Sequence, residues 1–228
     1  MANIRAGAAT DVGKVRRRNE DSALVGTAVY AVADGMGGHA AGDVASRLAV
    51  EALRRLDDTG APLGPLDVRD EIVRANADIL AAAAEDPGQG GMGTTAAGVC
   101  LGTVEGDECW IVFNVGDSRV YRFAAGVLEQ LTVDHVAPES VTLRRGVITR
   151  ALGTDPGPRP DLWVRTAEPG ERFLVCSDGL SLEQTDDEIA AVLAEFVDAE
   201  AAAEELVRRA VLAGGRDNVT VVVVDNLA

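Results

Sequence analysis

Histidine and cysteine are scarce in this chain of 228 residues, with two of the first and three of the second. Two histidines cannot furnish a histidine-rich metal pair. The cysteines, Cys100, Cys109 and Cys176, lack metal-ligand spacing and lie in or beside apolar stretches, so they read as reduced core residues of a cytoplasmic protein. No apolar run approaches the roughly 18 residues of a membrane span, and Met1 to Ala6 lack a signal-peptide segment. Positive charge is short as well. Twenty-one Lys and Arg against 37 Asp and Glu leave a net charge of −16, which argues against nucleic acid or an anionic membrane as the main partner. The local exceptions are Arg16-Arg17-Arg18 and Arg144-Arg145, and an acidic protein that handles an anionic substrate needs such a cluster near its site.

What the chain does have is apolar residues, 47% of the total, enough for one large core. With no internal repeat or low-complexity linker, residues 1–228 are expected to form a single domain. Apolar runs predict strands at 22–25, 28–33, 96–103, 109–115, 120–124, 173–176 and 219–225. Helical spacing predicts helices over 41–56, 68–84, 186–196 and 199–213, the last closed by Gly214-Gly215. The order is two strands, two helices, a block of hairpin-like strands, two helices and a final strand. That is no βαβ alternation, and it predicts an α+β fold in which two packed antiparallel sheets are covered by helix pairs.

Acidic residues stand where apolar runs break: Glu20-Asp21, Asp34-Gly35, Asp178-Gly179 and Asp217-Asn218. Carboxylates held at strand ends in an apolar framework repel one another and lose solvation, and a pair of divalent cations is the natural compensation. A metal-dependent hydrolase is the reading that follows. Taken singly, each aspartate also reads as a turn or helix-cap residue. Gly35 has a further use, because without a side chain its carbonyl can approach a cation.

In its ordered blocks the chain resembles the metal-dependent protein phosphatases, the type 2C serine/threonine phosphatases, in their bacterial form. The blocks are Arg16-Arg17-Arg18-Asn19-Glu20-Asp21-Ser22, Ala33-Asp34-Gly35-Met36-Gly37-Gly38-His39-Ala40-Ala41-Gly42, Gly91-Met92-Gly93-Thr94-Thr95, Gly116-Asp117-Ser118-Arg119, Leu131-Thr132-Val133-Asp134-His135, Ile148-Thr149-Arg150-Ala151-Leu152-Gly153, Ser177-Asp178-Gly179 and Asp217-Asn218-Val219-Thr220. The resemblance implies a β-sandwich between helix layers and a centre of two Mn²⁺ or Mg²⁺ ions. It implies Asp34 bridging the ions, Asp178 and Asp217 on one, the Gly35 carbonyl on the other, and Glu20 and Asp21 completing the shell. Water activated between the ions would attack phosphorus, with no phosphoenzyme. Arg16, four residues before Glu20, matches the family's phosphate-binding arginine. Asp117 resembles the ligand of a third, weaker metal, and equally a hairpin aspartate held by Arg119. Arg17 and Arg18 read as solvated charges.

Rival phosphatase chemistries lack their residues. No cysteine has an arginine six positions later, and no Asp-x-Asp pair occurs. The match also departs from the family. Met36 stands where eukaryotic relatives carry histidine, and nearby His39 reads equally well as a helix-start residue. Between His135 and Ile148 the flap of many bacterial members is shortened to residues 136–147, which should open the cleft. The resemblance implies a monomeric cytoplasmic phosphatase of phosphoserine and phosphothreonine, opposing a bacterial Ser/Thr protein kinase. Its alternatives are a regulatory phosphatase of a sigma-factor control protein, or a pseudophosphatase that binds without turnover.

Overall fold

The computed structural model describes residues 3–37, 41–86, 90–138, 147–154, 157 and 159–227. His39 and most of the short flap therefore lie outside the described residues. In chain order come β1 (Asn3–Asp11), β2 (Asp21–Val25), β3 (Val29–Met36), α1 (Gly42–Asp57) and α2 (Pro65–Glu85). Then follow β4 (Gly93–Thr94), β5 (Ala96–Val104), β6 (Asp107–Val115), β7 (Arg119–Ala124), β8 (Val127–Gln130), β9 (Asp161–Thr166) and β10 (Arg172–Cys176). The last elements are α3 (Asp178–Ser181), α4 (Asp186–Glu195), α5 (Ala199–Ala213) and β11 (Val219–Leu227).

All pairings between these strands are antiparallel, in two sheets. One sheet runs β1-β11-β10-β7-β8; the other runs β2-β3-β5-β6-β9, with β4 added to β3. The apolar runs of β3 and β11 are continuous because both faces are covered. Tyr30, Val32, Val222 and Val224 face the other sheet and pack with Val112, Val120 and Phe173. Ala31 and Ala33 face α1 and α2, whereas Val221 and Val223 face α3 to α5. Trp110 of β6 meets Phe173 of β10 across the sandwich, ring centroids 4.9 Å apart. This is the expected helix–sheet–sheet–helix arrangement.

Local chemistry fixes the ends of the elements. Asp57, at the end of α1, accepts hydrogen bonds from the backbone N–H groups of Thr27, Ala28 and Val29, tying the helix to the β2–β3 turn. Thr185 caps α4 in a reciprocal box with Glu188. Buried Arg172 pairs with Asp225 and donates to the carbonyls of Leu193, Phe196 and Val197, which satisfies the C-terminal end of α4. β1, β4, β8, β9 and the short α3 were not expected from the sequence, and the other elements agree with it to within a few residues.

Candidate active site

The strand pairing itself gathers the acids. In the β2–β3 register Asp21 stands opposite Asp34, and the Gly35 N–H donates to the Glu20 carbonyl at 3.1 Å. A Cβ at Gly35 would lie 2.1 Å from the Gly42 carbonyl oxygen, so only glycine lets α1 start this close to β3. Asp178 opens α3 directly after β10, and Asp217 immediately precedes the Asn218 turn into β11. The two sheets thus contribute Asp34 on one side and Asp178 and Asp217 on the other.

Neutral side chains hold this arrangement. Thr95 Oγ1 accepts from the Asp34 N–H at 2.9 Å, and the Asp34 carbonyl accepts from Thr95 N–H and Thr94 Oγ1. Ser177 Oγ donates to Asp21 Oδ2 at 2.8 Å, crossing between the sheets. Asn218 Oδ1 accepts from Glu20 N–H at 2.9 Å, while its Nδ2 donates to the carbonyls of Val12 and Arg18. One amide therefore fixes the loop that carries Arg16 and Glu20.

Arg16, Glu20, Asp34, Gly35, Met36, Gly37, Asp117, Ile148, Asp178 and Asp217 line a cleft of about 190 Å³. Asp21 is not in the lining; it lies below, against Ser177. Grooves of about 470 and 600 Å³ open elsewhere, but neither gathers these carboxylates. Arg16 Nη2 donates to Asp217 Oδ2 at 2.6 Å. Arg17 and Arg18 are exposed and absent from the lining. Arg119 does not hold Asp117: it pairs with Asp134 at 2.7 Å and donates to Tyr121, which removes the hairpin-clamp alternative. Thr95, Ser177, Asn218 and Ile148 stand in the sequence motifs, but no role was read for them there. Sequence reasoning missed Asp43, in the first turn of α1, whose charge adds to burial in raising the proton affinity of Glu20.

Burial is the main cause of the unusual proton affinities, and the neighbouring carboxylates add to it. Asp34 is pushed well above the usual carboxylate range by burial, then by Asp21, Asp178 and Asp117. Burial pushes Asp21 and Asp178 up to about 6 and Asp117 to about 7. For Asp178 the charge of neighbouring Asp217 adds to burial in raising its proton affinity. Asp21 Oδ1, Asp117 Oδ1 and Asp178 Oδ1 are buried and have no hydrogen-bond partner among the described residues. Such oxygens call for a proton or a cation, and an all-oxygen donor set suits hard divalent ions. Among the described residues no three His, Cys, Asp or Glu side chains are grouped closely enough to hold an ion as they stand. The carboxylates ring the cleft, and their unmet oxygens are the feature that fits a cation.

A family model described as Protein phosphatase 2C matches residues 17–213. The chain belongs to the protein phosphatase 2C family. It is 40% identical over 237 residues to the serine/threonine protein phosphatase PstP of Mycobacterium tuberculosis (strain H37Rv), covering 97% of this chain and 45% of that protein. It is 32% identical over 239 residues to the serine/threonine phosphatase stp of Listeria monocytogenes (strain EGD-e), covering 95% and 93%. The chain thus spans about half the length of the first relative and nearly all of the second. A crystal structure of the catalytic domain of PstP in complex with two manganese ions matches this protein phosphatase 2C chain with a TM-score of 0.89 at 36% identity, over 100% of both chains.

Proposed function

We propose that this chain is a metal-dependent protein phosphatase that hydrolyses phosphoserine and phosphothreonine. The observation that carries the reading is the set of carboxylates lining one polar cleft beside one guanidinium, with a buried oxygen of Asp117 and one of Asp178 lacking a hydrogen-bond partner among the described residues. Asp34, Asp178, Asp217, Glu20, Asp21 and the Gly35 carbonyl would hold two Mn²⁺ or Mg²⁺ ions, and Asp117 a third, weaker one. When bound, these ions supply Lewis acidity that lowers the pKa of water and neutralises phosphoryl charge.

The protein's own groups do the rest. Arg16 presents paired N–H donors to two phosphoryl oxygens once it leaves Asp217. Thr95 holds the Asp34 backbone so that the carboxylate keeps its place between the sheets. Nucleophilic cysteine chemistry is ruled out by position: Cys176 is fully buried, and burial pushes its thiol up to about 12.

Substrates of this reading are phosphorylated proteins, including those modified by a Ser/Thr protein kinase whose action the phosphatase reverses. A monomer in the cytoplasm, built as one catalytic domain with a short flap, completes it. Three buried free cysteines support the compartment, and among the described residues no helix is long and apolar enough to cross a membrane. A pseudophosphatase would have lost acids, and Glu20, Asp21, Asp34, Asp178 and Asp217 are all in place.

The test is turnover of p-nitrophenyl phosphate and a phosphothreonine peptide with Mn²⁺, Mg²⁺ or chelator, with Asp178→Ala as control. Metal-dependent turnover that disappears in the variant is expected. Full activity in Asp178→Ala, or Mn²⁺ binding without turnover in the wild type, would overturn the reading.

A further inference from the structure

His135 does not line the cleft; its side chain is 5% exposed and lies behind the Gly116-Asp117 turn. Its polar contacts are nevertheless extensive. Nδ1 lies 3.0 Å from the Gly116 backbone nitrogen, and Nε2 lies 3.0 Å from Asp161 Oδ2 and 3.1 Å from Arg150 Nη1. Its backbone N–H donates to the Gly116 carbonyl at 2.9 Å, and its carbonyl accepts from Thr149. Asn114 Nδ2 donates to the same Gly116 carbonyl at 3.1 Å.

These contacts decide where the ring proton sits. A backbone N–H can only donate, so Nδ1 must accept, and the proton is on Nε2, donated to Asp161 Oδ2; Arg150 Nη1, itself only a donor, then makes no hydrogen bond to Nε2 and acts on the ring through Asp161. Arg150 takes the other oxygen of that carboxylate at 2.7 Å. The ring is locked from behind by a shared carboxylate while its front nitrogen grips Gly116.

The turn is gripped from the other side as well. Ser118 Oγ lies 2.7 Å from Thr95 Oγ1, the atom that also accepts from Asp34 N–H. Gly116 adopts φ +112°, and a Cβ there would lie 2.5 Å from the Thr95 side chain. Asp117 therefore sits on a turn clamped between His135 and Thr95, and Thr95 joins that turn to Asp34.

We propose that His135 is a positioning residue: through Nδ1 it fixes the Gly116-Asp117 turn, aiming the Asp117 carboxylate into the cleft, with Asp161 and Arg150 holding the ring. The inference rests on the phosphatase reading only for what Asp117 does once aimed. It also separates His135 from proton donation to a leaving group, because the ring is buried away from the cleft and both nitrogens are engaged.

The test begins with ¹⁵N-histidine NMR on the metal-free chain, where His135→Asn identifies which of two histidine signal sets belongs to His135. The expected result is Nε2 protonated, Nδ1 unprotonated and coupled across the hydrogen bond to the Gly116 amide; a proton on Nδ1 would overturn the proposal. Kinetics form the second arm. Asn places an amide oxygen where Nδ1 stood, so it keeps the acceptor, whereas Ala removes it. At saturating Mn²⁺, His135→Ala is expected to lose about 10- to 100-fold in kcat on p-nitrophenyl phosphate with KM nearly unchanged, and His135→Asn to recover to within about threefold of wild type. Equal losses in the two variants would overturn the proposal. A wild type without turnover would sink the phosphatase reading instead, and the NMR arm would still judge His135.

Discussion

Arg16 and Asp217 are bound to each other, the guanidinium donating to the carboxylate at 2.6 Å across the mouth of the cleft. The hydrogen bond to Asp217 is the main reason that Arg16 holds its proton more tightly than usual. The side chain that the phosphatase reading gives to phosphate and the carboxylate that it gives to metal therefore offset each other's charge.

Replacing Arg16 should accordingly have two opposite effects. Arg16→Ala is expected to raise KM for a phosphothreonine peptide about tenfold, equivalent to about 1.4 kcal/mol of lost binding. The same variant should bind Mn²⁺ more tightly, because a cationic competitor for Asp217 is gone. Arg16→Lys should restore little of the peptide KM, since an ammonium lacks the two-pronged donor. Electron paramagnetic resonance titration and steady-state kinetics check the pair, and weaker Mn²⁺ binding in Arg16→Ala would refute the competition.

The raised carboxylates set a pH dependence for the metal-free chain. With Asp21 and Asp178 at about 6 and Asp117 at about 7 when folded, against an ordinary 3.8, the folded chain binds protons that the unfolded chain has released. Stability then falls as pH rises through that window. In chelator the thermal midpoint should be higher at about pH 5 than at about pH 7.5, and Mn²⁺ should abolish the difference. A metal-free midpoint that climbs across this range would contradict the assignment.

Asn218 offers a test of the loop clamp. Asn218→Ala leaves the Glu20 N–H and two carbonyls without their partner and should cost about 1–3 kcal/mol. Hydrogen exchange should quicken over residues 12–20 well before the sandwich core opens. Unchanged protection there would mean that the clamp is dispensable.

If residues 136–147 act as the shortened flap that the sequence suggests, lengthening that segment should alter preference among phosphopeptides far more than turnover of p-nitrophenyl phosphate. Parallel changes in both would show that the segment acts on the carboxylate cleft itself and not on the approach to it.

The sequence was legible where a signal is local. Asp34 and Asp178 announce themselves because each ends an apolar run at a glycine, and Ala199–Ala213 was readable from its spacing and the following glycines. β1 was not, since Ala6, Gly7, Ala8 and Ala9 carry little strand propensity. It is a strand because nine of its residues pair with β11, and Gly7 lets α5 pack directly on it, a Cβ there falling 2.3 Å from the Glu200 backbone. Asn218, Thr95 and Ser177 stood in recognised motifs, but what they do was not legible, for a related reason. Each serves a partner far away in the chain, so nothing beside it in sequence reveals the bond.

The last strand in chain order, β11, lies between β1, the first, and β10. It follows directly on Asp217 and Asn218, and the sheet that carries Asp178 is not closed until it inserts. A nascent chain that stops short of β11 therefore has no assembled cleft: Asp34 and Asp21, on the β2–β3 pair, wait for Asp217 until that last strand has been made. Assembly of the cleft is thus a report that β11 has been threaded into its sheet, and a nascent copy lacking that strand presents no site.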